Sequence, residues 1–308
     1  MKKRMNILFI ALTKTAYYLL LIATFLLGIT VFLSLPLLFD LGKKPGEHLG
    51  FTFDVLTKEM KHVLNQMMDY KSHSFIEYAT SPQVLDGFLH SYTILSISLV
   101  IIVLAGSAIA FAVMLSPYRL RKILRTILDL FEGLPDLIFI FIINMLIIYL
   151  YQEYNFKLLT MYGFGSNQPI VFPVILISFL PAILFGVFLL RSMEEEEQEL
   201  YILVGFSKGL TKGYLYTVHM IRNVLPVFTL RFRSILYMLL SNLVLVEFMY
   251  FYEQAHTSKL LLHIFMGDHV LLLLYSIIML ILPVIILESV IRLIVKYTVL
   301  RKRGEIQL

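Results

Sequence analysis

Three acidic residues at helical spacing are the first candidates for chemistry in this sequence. Asp129, Glu132 and Asp136 follow an i, i+3, i+7 pattern, so they would share one face of a continuous helix. Carboxylates aligned in this way can line a polar pathway, or they can pair with the nearby Arg121 or Arg125. Ion pairing is the simpler interpretation of the three residues. Asp136 is also a candidate for lining a polar pathway through the protein.

Two further carboxylates and three histidines lie in or beside apolar stretches. Glu247 and Glu288 interrupt long apolar runs, where a charged side chain is stable only against protein or water. We expect a structural pair or an interfacial position for Glu288, whereas contact with a substrate is an equally good interpretation of Glu247. His256, His263 and His269 are of a type that binds metal ions, but nothing in their spacing makes them converge, so no metal site is predicted.

The sequence motifs of membrane enzymes and of nucleotide binding are missing. There is no His-Glu-x-x-His, no Gly-x-Ser-x-Gly and no pair of aspartates in the middle of an apolar run, which argues against an intramembrane protease or a lipid-modifying enzyme. There is also no Gly-x-x-x-x-Gly-Lys-(Ser/Thr) sequence, so the chain is not expected to bind ATP itself. We therefore expect no catalytic residue and no bound cofactor.

The elements that must position these residues are helices in a membrane. Hydrophobic residues make up 59% of the 308 residues and charged residues only 15%, against about 45–50% and about 25% in a soluble domain. A bilayer solvates such a surface and forces the backbone to satisfy its hydrogen bonds within helices. The predicted fold class is all-α and polytopic, with about six transmembrane helices near 15–39, 87–116, 126–151, 168–190, 232–252 and 270–295.

The distribution of charge predicts the orientation in the membrane. If residues 1–14, 117–125, 191–231 and 296–308 face the cytoplasm, all eleven arginines lie on that side or at that end of a span. The net charge of +5 then reflects the membrane and not nucleic acid. Both termini are predicted to be cytoplasmic, and the first span is expected to be a retained anchor, because its apolar run is too long for a signal peptide. The predicted domains are 1–86 (tail, first span and outer segment), 87–300 (transmembrane domain with a loop at 191–231) and 301–308 (basic tail).

The cytoplasmic loop is longer than a connection between neighbouring helices requires. Its pattern predicts two short helices separated by Gly209, where a left-handed backbone favours glycine. Thr211 is expected to cap the second helix, and Pro226 fits the start of the fifth span. The apolar residues of each half share one face and need a partner: Leu200, Leu203 and Val204 in the first, and Tyr214, Val218, Ile221 and Leu225 in the second.

This loop resembles that of permease subunits of binding-protein-dependent ABC importers, in the dipeptide, oligopeptide and nickel branch. That loop reads Glu-x-Tyr-(Val/Ile)-x-x-Ala-x-Ala-Lys-Gly-Leu, then eight residues, then His-x-x-(Arg/Lys)-Asn-x-x-(x)-Pro. Gly205 and Ser207 replace the two alanines. The residues that match in register are Glu199, Tyr201, Ile202, Lys208, Gly209, Leu210, His219, Arg222, Asn223 and Pro226.

A weaker similarity extends over residues 85–300. It includes Gly-Leu-Pro-Asp at 133–136 and Val246-Glu247. The sequence also departs from the family. The Pro-Gly-Leu-Gly that follows this glutamate in the family is replaced by Gln-Ala-His-Thr-Ser at 254–258, and the terminal Asp-Pro-Arg is replaced by Arg-Lys-Arg-Gly. These departures leave the substrate undefined.

The resemblance implies a type I ABC importer permease fold, described as MetI-like, that forms half of a translocation pore. It implies three protein partners: ATPase subunits that bind ATP, a second homologous permease and an extracytoplasmic substrate-binding protein. Leu200, Leu203, Val204, Gly209 and Leu210 would supply docking area and turn, with Glu199 as a polar contact. Peptides are the expected substrate. A permease for nickel or another metal chelate, and a degenerate accessory permease with little transport, remain as alternatives.

Overall fold

The computed structural model describes residues 80–154, 169–250 and 270–304, together with a few positions between 20 and 77. The chain divides into two compact units, one of residues 1–80 with 262–275 and the other of residues 81–261 with 276–308. The fold described below is that of the second unit. The predicted first span at 15–39 falls almost entirely outside the described residues, as do His256, His263, His269 and the stretch at 254–258.

The described part of the chain is helical and contains no β-strand. The helices, in chain order, are α1 (Pro82–Leu115), α2 (Tyr118–Glu132), α3 (Asp136–Tyr154), α4 (Val171–Glu196), α5 (Leu200–Ser207), α6 (Lys212–Tyr214), α7 (Ile221–Tyr250) and α8 (Val270–Gly304). Residues Leu215–Met220 form a π-helical turn that joins α6 to α7.

Five helical segments among the described residues are long and apolar enough to cross a membrane. They correspond to the second to sixth predicted spans and confirm an all-α, polytopic fold. Their bounds are Val84–Leu115, Asp136–Tyr154, Val171–Glu196, Phe232–Tyr250 and Tyr275–Leu293.

The third span begins ten residues later than the predicted start at 126. The chain turns at Gly133, Leu134 and Pro135, so that α2 and α3 are separate helices. Proline disfavours helical backbone in the residue before it, and the C-cap of α2 is a glycine. The prediction that Asp129, Glu132 and Asp136 share the face of one helix is therefore wrong. The first two lie on α2, and Asp136 is the first residue of α3.

α4 is the central helix of the bundle. It packs mainly against α1 and α7, and it also contacts α2 and α3. Its buried side chains point in all directions around the helix, as expected for a span enclosed by other spans. A glycine allows α1 and α4 to approach closely: a Cβ placed on Gly106 of α1 would lie 2.6 Å from the carbonyl oxygen of Ala182 in α4.

Candidate functional site

The loop between α4 and α7 folds around a left-handed glycine. Gly209 has a φ of +81°, which confirms the backbone predicted for it. Its N–H donates to the carbonyl oxygen of Phe206 at 2.9 Å, and the N–H of Leu210 donates to that of Gly205 at 3.2 Å. This pair of bonds is the Schellman ending of a helix, here of α5. The turn satisfies the last carbonyl groups of α5 and reverses the chain.

The second half of the loop differs from the prediction of a separate short helix. Thr211 caps α6 as predicted, with its Oγ1 accepting from the backbone N–H of Tyr214 at 3.5 Å. From Lys212 the chain then remains helical through the π turn and α7 to Tyr250. No glycine occurs between Tyr214 and Tyr250 to interrupt it. Pro226 consequently lies inside α7 and not at the start of the span.

The loop exposes an apolar surface of its own. Leu200 is 76% exposed, Leu203 59% and Val204 50%. We call these three residues, together with Tyr214, Val218 and Leu225 from the second half, the apolar loop surface; each of the latter three is about half exposed. Ile221, which was predicted to share this face, is only partly exposed and packs against the core. All the apolar side chains predicted to form the two faces, except that of Ile221, are thus exposed.

The opposite side of α5 is fixed against the π turn. Ile202 and Gly205 face inward, and Leu215 and Tyr216 are almost fully buried. A Cβ on Gly205 would overlap the side chain of Leu215, so the glycine at this position allows the two segments to touch. The alanine that the resembling loops carry here would require Leu215 to move.

Two glutamates at the end of α4 fasten the loop to the bundle. The carboxylate of Glu196 accepts from the hydroxyl of Tyr201 on α5 at 2.8 Å and from Nδ2 of Asn223 on α7 at 2.8 Å. Glu197 accepts from the hydroxyl of Tyr216 and from Nη1 of Arg121, the latter at 3.0 Å. Because both carboxylates are shared between elements, α5, the π turn and α2 are held in one arrangement.

Ion pairs continue this arrangement along α2. Arg121 and Arg125 each reach Glu194, at 3.1 Å and 2.8 Å. Arg191 donates to Glu132 at 3.0 Å and to Asp129 at 3.4 Å. The prediction of ion pairing for Asp129 and Glu132 is confirmed, although the main partner is Arg191; the predicted Arg125 lies 4.0 Å from Asp129. We call the group Glu194, Glu196, Glu197, Arg121, Arg125, Arg191, Tyr201, Tyr216 and Asn223 the polar frame.

Burial and hydrogen bonding shift the pKa values of groups in the polar frame. Burial raises the pKa of Tyr201 to about 12, and the bond to Glu196 adds to this effect. Burial also raises the pKa of Tyr216, as does its bond to Glu197. For Glu197 burial acts to raise the pKa, but the bonds from Tyr216 and Arg121 outweigh it and leave the pKa lowered.

An alkaline titration should detect the Tyr201 phenol. Its raised pKa means that its contribution to stability is complete below the unfolded value of about 10 and is lost as pH rises through about 12. Subtracting the ultraviolet tyrosinate titration of Tyr201→Phe from that of the unaltered chain should leave one phenol with a midpoint near pH 12. In denaturant the same subtraction should give about 10. A midpoint near 10 in the folded chain would show that the Tyr201 phenol is neither buried nor bonded to Glu196.

The remaining residues of the predicted loop site occupy the exterior of the loop. Glu199 is the exposed N-cap of α5, and Lys208 is its exposed C-cap. His219 is exposed and stacks edge-on against Tyr214, with ring centroids 5.6 Å apart. Arg222 is also exposed, and Leu210 is half-buried. Sequence reasoning identified the exposed residues, but it missed Glu196, Glu197 and Tyr216, most of whose partners are 19 or more residues away in sequence.

The candidate pathway carboxylates are both placed within the bundle. Glu247 is completely buried, and its Oε1 accepts from the hydroxyl of Ser91 at 2.7 Å, which joins α7 to α1. Asp136, at the start of α3, lies beside the buried Asn242 of α7. Glu288 is paired with Arg233 at 3.4 Å and with Arg292, as predicted. Among the described residues no group of histidines and carboxylates is arranged to hold a metal ion.

Comparison with known families completes this description. The family described as the inner membrane component of binding-protein-dependent transport systems matches residues 102–303. The chain belongs to this family. The matched region of the permease starts within α1 and ends within α8, so it contains the apolar loop surface and the polar frame. No curated protein matches the permease significantly. Membership establishes a MetI-like transport permease that resides in a membrane.

Proposed function

We propose that this permease forms half of the translocation pore of an ATP-driven importer in the dipeptide, oligopeptide and nickel branch, with peptides as substrate. The observation that carries the proposal is the apolar loop surface, half of which is presented by α5, a helix whose ending is set by Gly209. A cytoplasmic ATPase would receive α5 in a groove. A second homologous permease and an extracytoplasmic binding protein would complete the transporter.

The apolar loop surface has the properties of a docking site. An amphipathic helix that inserts into a groove presents anchors at i, i+3 and i+4, which is the spacing of Leu200, Leu203 and Val204. Exposed apolar residues gathered on one short helix are typical of an interaction site. The exposed Glu199 adds a polar contact at the edge of the surface.

The polar frame supports transmission of a movement from this site. Since Glu196 and Glu197 join α5, the π turn and α2 to the end of α4, a displacement of α5 would carry those elements with it. The continuous helix from Lys212 to Tyr250 leads from the loop into the span that contains Glu247. Closure of an ATPase pair would in this way change the arrangement of the spans.

Two alternatives concern the transported substance and the activity. A nickel or metal-chelate permease would have the same loop, and an accessory permease would have the loop but little transport. Uptake by the reconstituted transporter distinguishes these possibilities, because a peptide permease accumulates labelled oligopeptides, a nickel permease accumulates the chelated metal, and an accessory permease accumulates neither.

Single-cysteine labelling tests the orientation and the docking together, because the chain contains no cysteine of its own. Ser207 is exposed on α5 within the proposed docking side. In the variant Ser207→Cys, an impermeant maleimide should leave intact cells unlabelled and should label inside-out vesicles. Labelling should increase several-fold after peripheral subunits are stripped from the vesicles with urea.

The matched control is Lys61→Cys, at an exposed lysine in the segment predicted to lie outside the cell. It should be labelled in intact cells, and stripping should not change it. Labelling of Ser207→Cys in intact cells would rule out the cytoplasmic orientation. Equal labelling before and after stripping would rule out docking of a peripheral subunit on α5.

A further inference from the structure

α2 carries an apolar face that no described residue covers. Leu120, Ile123, Ile127 and Leu130 follow an i, i+3, i+7, i+10 pattern and are between 45% and 66% exposed. The other apolar side of the helix, with Leu128 buried, faces the core of the bundle. The exposed face is therefore additional to the surface that holds α2 in the fold.

The basic residues of α2 are of two kinds. Arg121 and Arg125 belong to the polar frame and are paired with glutamates of α4. Arg119 and Lys122 are exposed, and within the described part of the chain neither forms an ion pair. At 100° per residue, Arg119 borders the exposed apolar face, and Lys122 lies about 60° beyond Arg119 on the side away from that face. An apolar strip is thus left on the outside of α2, bordered on one side by basic residues that form no ion pair within the described part of the chain.

The connections of α2 hold this strip at the membrane surface. α1 ends at Leu115 and α3 begins at Asp136, and both belong to candidate spans. Two residues precede α2 and three follow it, so both of its ends are held at the same side of the bilayer. α2 itself has 15 residues, six of them charged, and is too short and too polar to cross the membrane.

We propose that α2 lies in the membrane interface, with its exposed apolar face among lipid acyl chains and with Arg119 and Lys122 on the headgroups of anionic phospholipids. An interfacial helix has this combination of an apolar face and adjacent basic residues. Long basic side chains extend from an apolar surface to place their charges at the phosphate level. An anionic leaflet provides both required environments at one surface, and it attracts each basic residue that approaches it.

The experiment uses the absence of tryptophan from the chain. Ile127→Trp places the single tryptophan of the full chain on the exposed face of α2, and the protein is reconstituted into vesicles of phosphatidylcholine with phosphatidylglycerol. We expect quenching by brominated phosphatidylcholine to a similar extent as for Ile286→Trp, at an exposed apolar position of the last span. Thr217→Trp, at an exposed polar position of the π turn, should be quenched by aqueous acrylamide and not by brominated lipid.

The headgroup contact is tested on the same reporter. Brominated phosphatidylglycerol should quench Ile127→Trp at least about threefold more effectively than brominated phosphatidylcholine. Addition of Arg119→Gln and Lys122→Gln should remove this preference while quenching by the neutral lipid persists. A preference that survives these two changes would refute the binding of anionic headgroups.

Two outcomes would overturn the interfacial position of α2. Emission that is quenched by acrylamide but not by brominated lipid would place Ile127→Trp in water. Emission that is protected from both quenchers would show that protein, and not lipid, covers this face. Neither test depends on the docking of an ATPase, so the inference and the proposed function can fail independently.

Discussion

Replacement of Leu203 by glutamate is expected to remove the ATPase subunit from the purified transporter while the permease remains folded. Leu203 is 59% exposed, so the change costs the isolated chain little. In the docked state the new carboxylate would be buried in an apolar groove without a partner. An unpaired buried charge costs about 3–5 kcal/mol, which corresponds to at least about a 100-fold loss of affinity.

The measurement is co-purification in mild detergent, with the ATPase identified by mass spectrometry of peptides that contain its nucleotide-binding sequence. Gln198→Glu is the matched control, because it adds the same charge at an exposed position before α5 and leaves the apolar loop surface intact. Gel filtration of both variants verifies folding. If Leu203→Glu retained the ATPase at the unaltered level, α5 would not be the docking helix.

The second large effect is expected from substitution of Gly209. Its cost comes from the backbone conformation at this position and not from contacts of the new side chain. A Cβ at this position would have no atom within 4 Å among the described residues, so a larger residue meets no obstacle there. Its φ of +81° is nevertheless a conformation that costs a β-branched residue about 1–3 kcal/mol. Gly209→Val should therefore misdirect α5 and weaken ATPase association about 5- to 100-fold.

Gly209→Asn is the control for this effect, because it also replaces the glycine but tolerates the left-handed backbone conformation. Asparagine adopts left-handed conformations more readily than most residues, so this variant should remain within about fivefold of the unaltered affinity. The same co-purification assay gives both values, and maleimide labelling of Ser207→Cys in each background reports the exposure of α5. Equal association of the valine and asparagine variants would mean that the turn does not direct the docking helix.

The parts of the fold that hydropathy determines were predictable. A run of about 20 apolar residues has few alternatives in a bilayer, and five predicted spans are present in the described chain. Gly209 and Thr211 were predictable for a different reason, because each acts on backbone within three residues of itself. Local chemistry of this kind is legible in a sequence without knowledge of the tertiary structure.

The break between α2 and α3 was not predicted, although its signals were present. The apolar residues of α2 continue directly into those of α3, so a hydropathy average joins the two helices into one span. The amphipathic pattern of α2, its six charged residues and the sequence Gly-Leu-Pro at 133–135 indicate the separate helix. The prediction relied on average hydropathy, which does not distinguish an amphipathic helix from the start of a membrane span.

The polar frame could not have been derived from one sequence. Glu197 and Tyr216 are 19 residues apart, and Arg121 and Glu197 are 76 apart. No local spacing rule connects residues at such distances. The four consecutive glutamates from Glu194 to Glu197 do not by themselves identify a partner. Which partners they are depends on how α2, α4 and α7 pack, and this is a property of the tertiary structure.

The buried hydrogen bond between Ser91 and Glu247 limits how the spans can rearrange. Breaking it would remove a hydrogen bond to a carboxylate in an apolar interior, where such a bond is costly to lose. The two helices it joins, α1 and α7, therefore favour travelling as one rigid block. A transport cycle built on this chain would slide or rock that block against a neighbouring subunit, in preference to sliding one helix past its neighbour within the bundle.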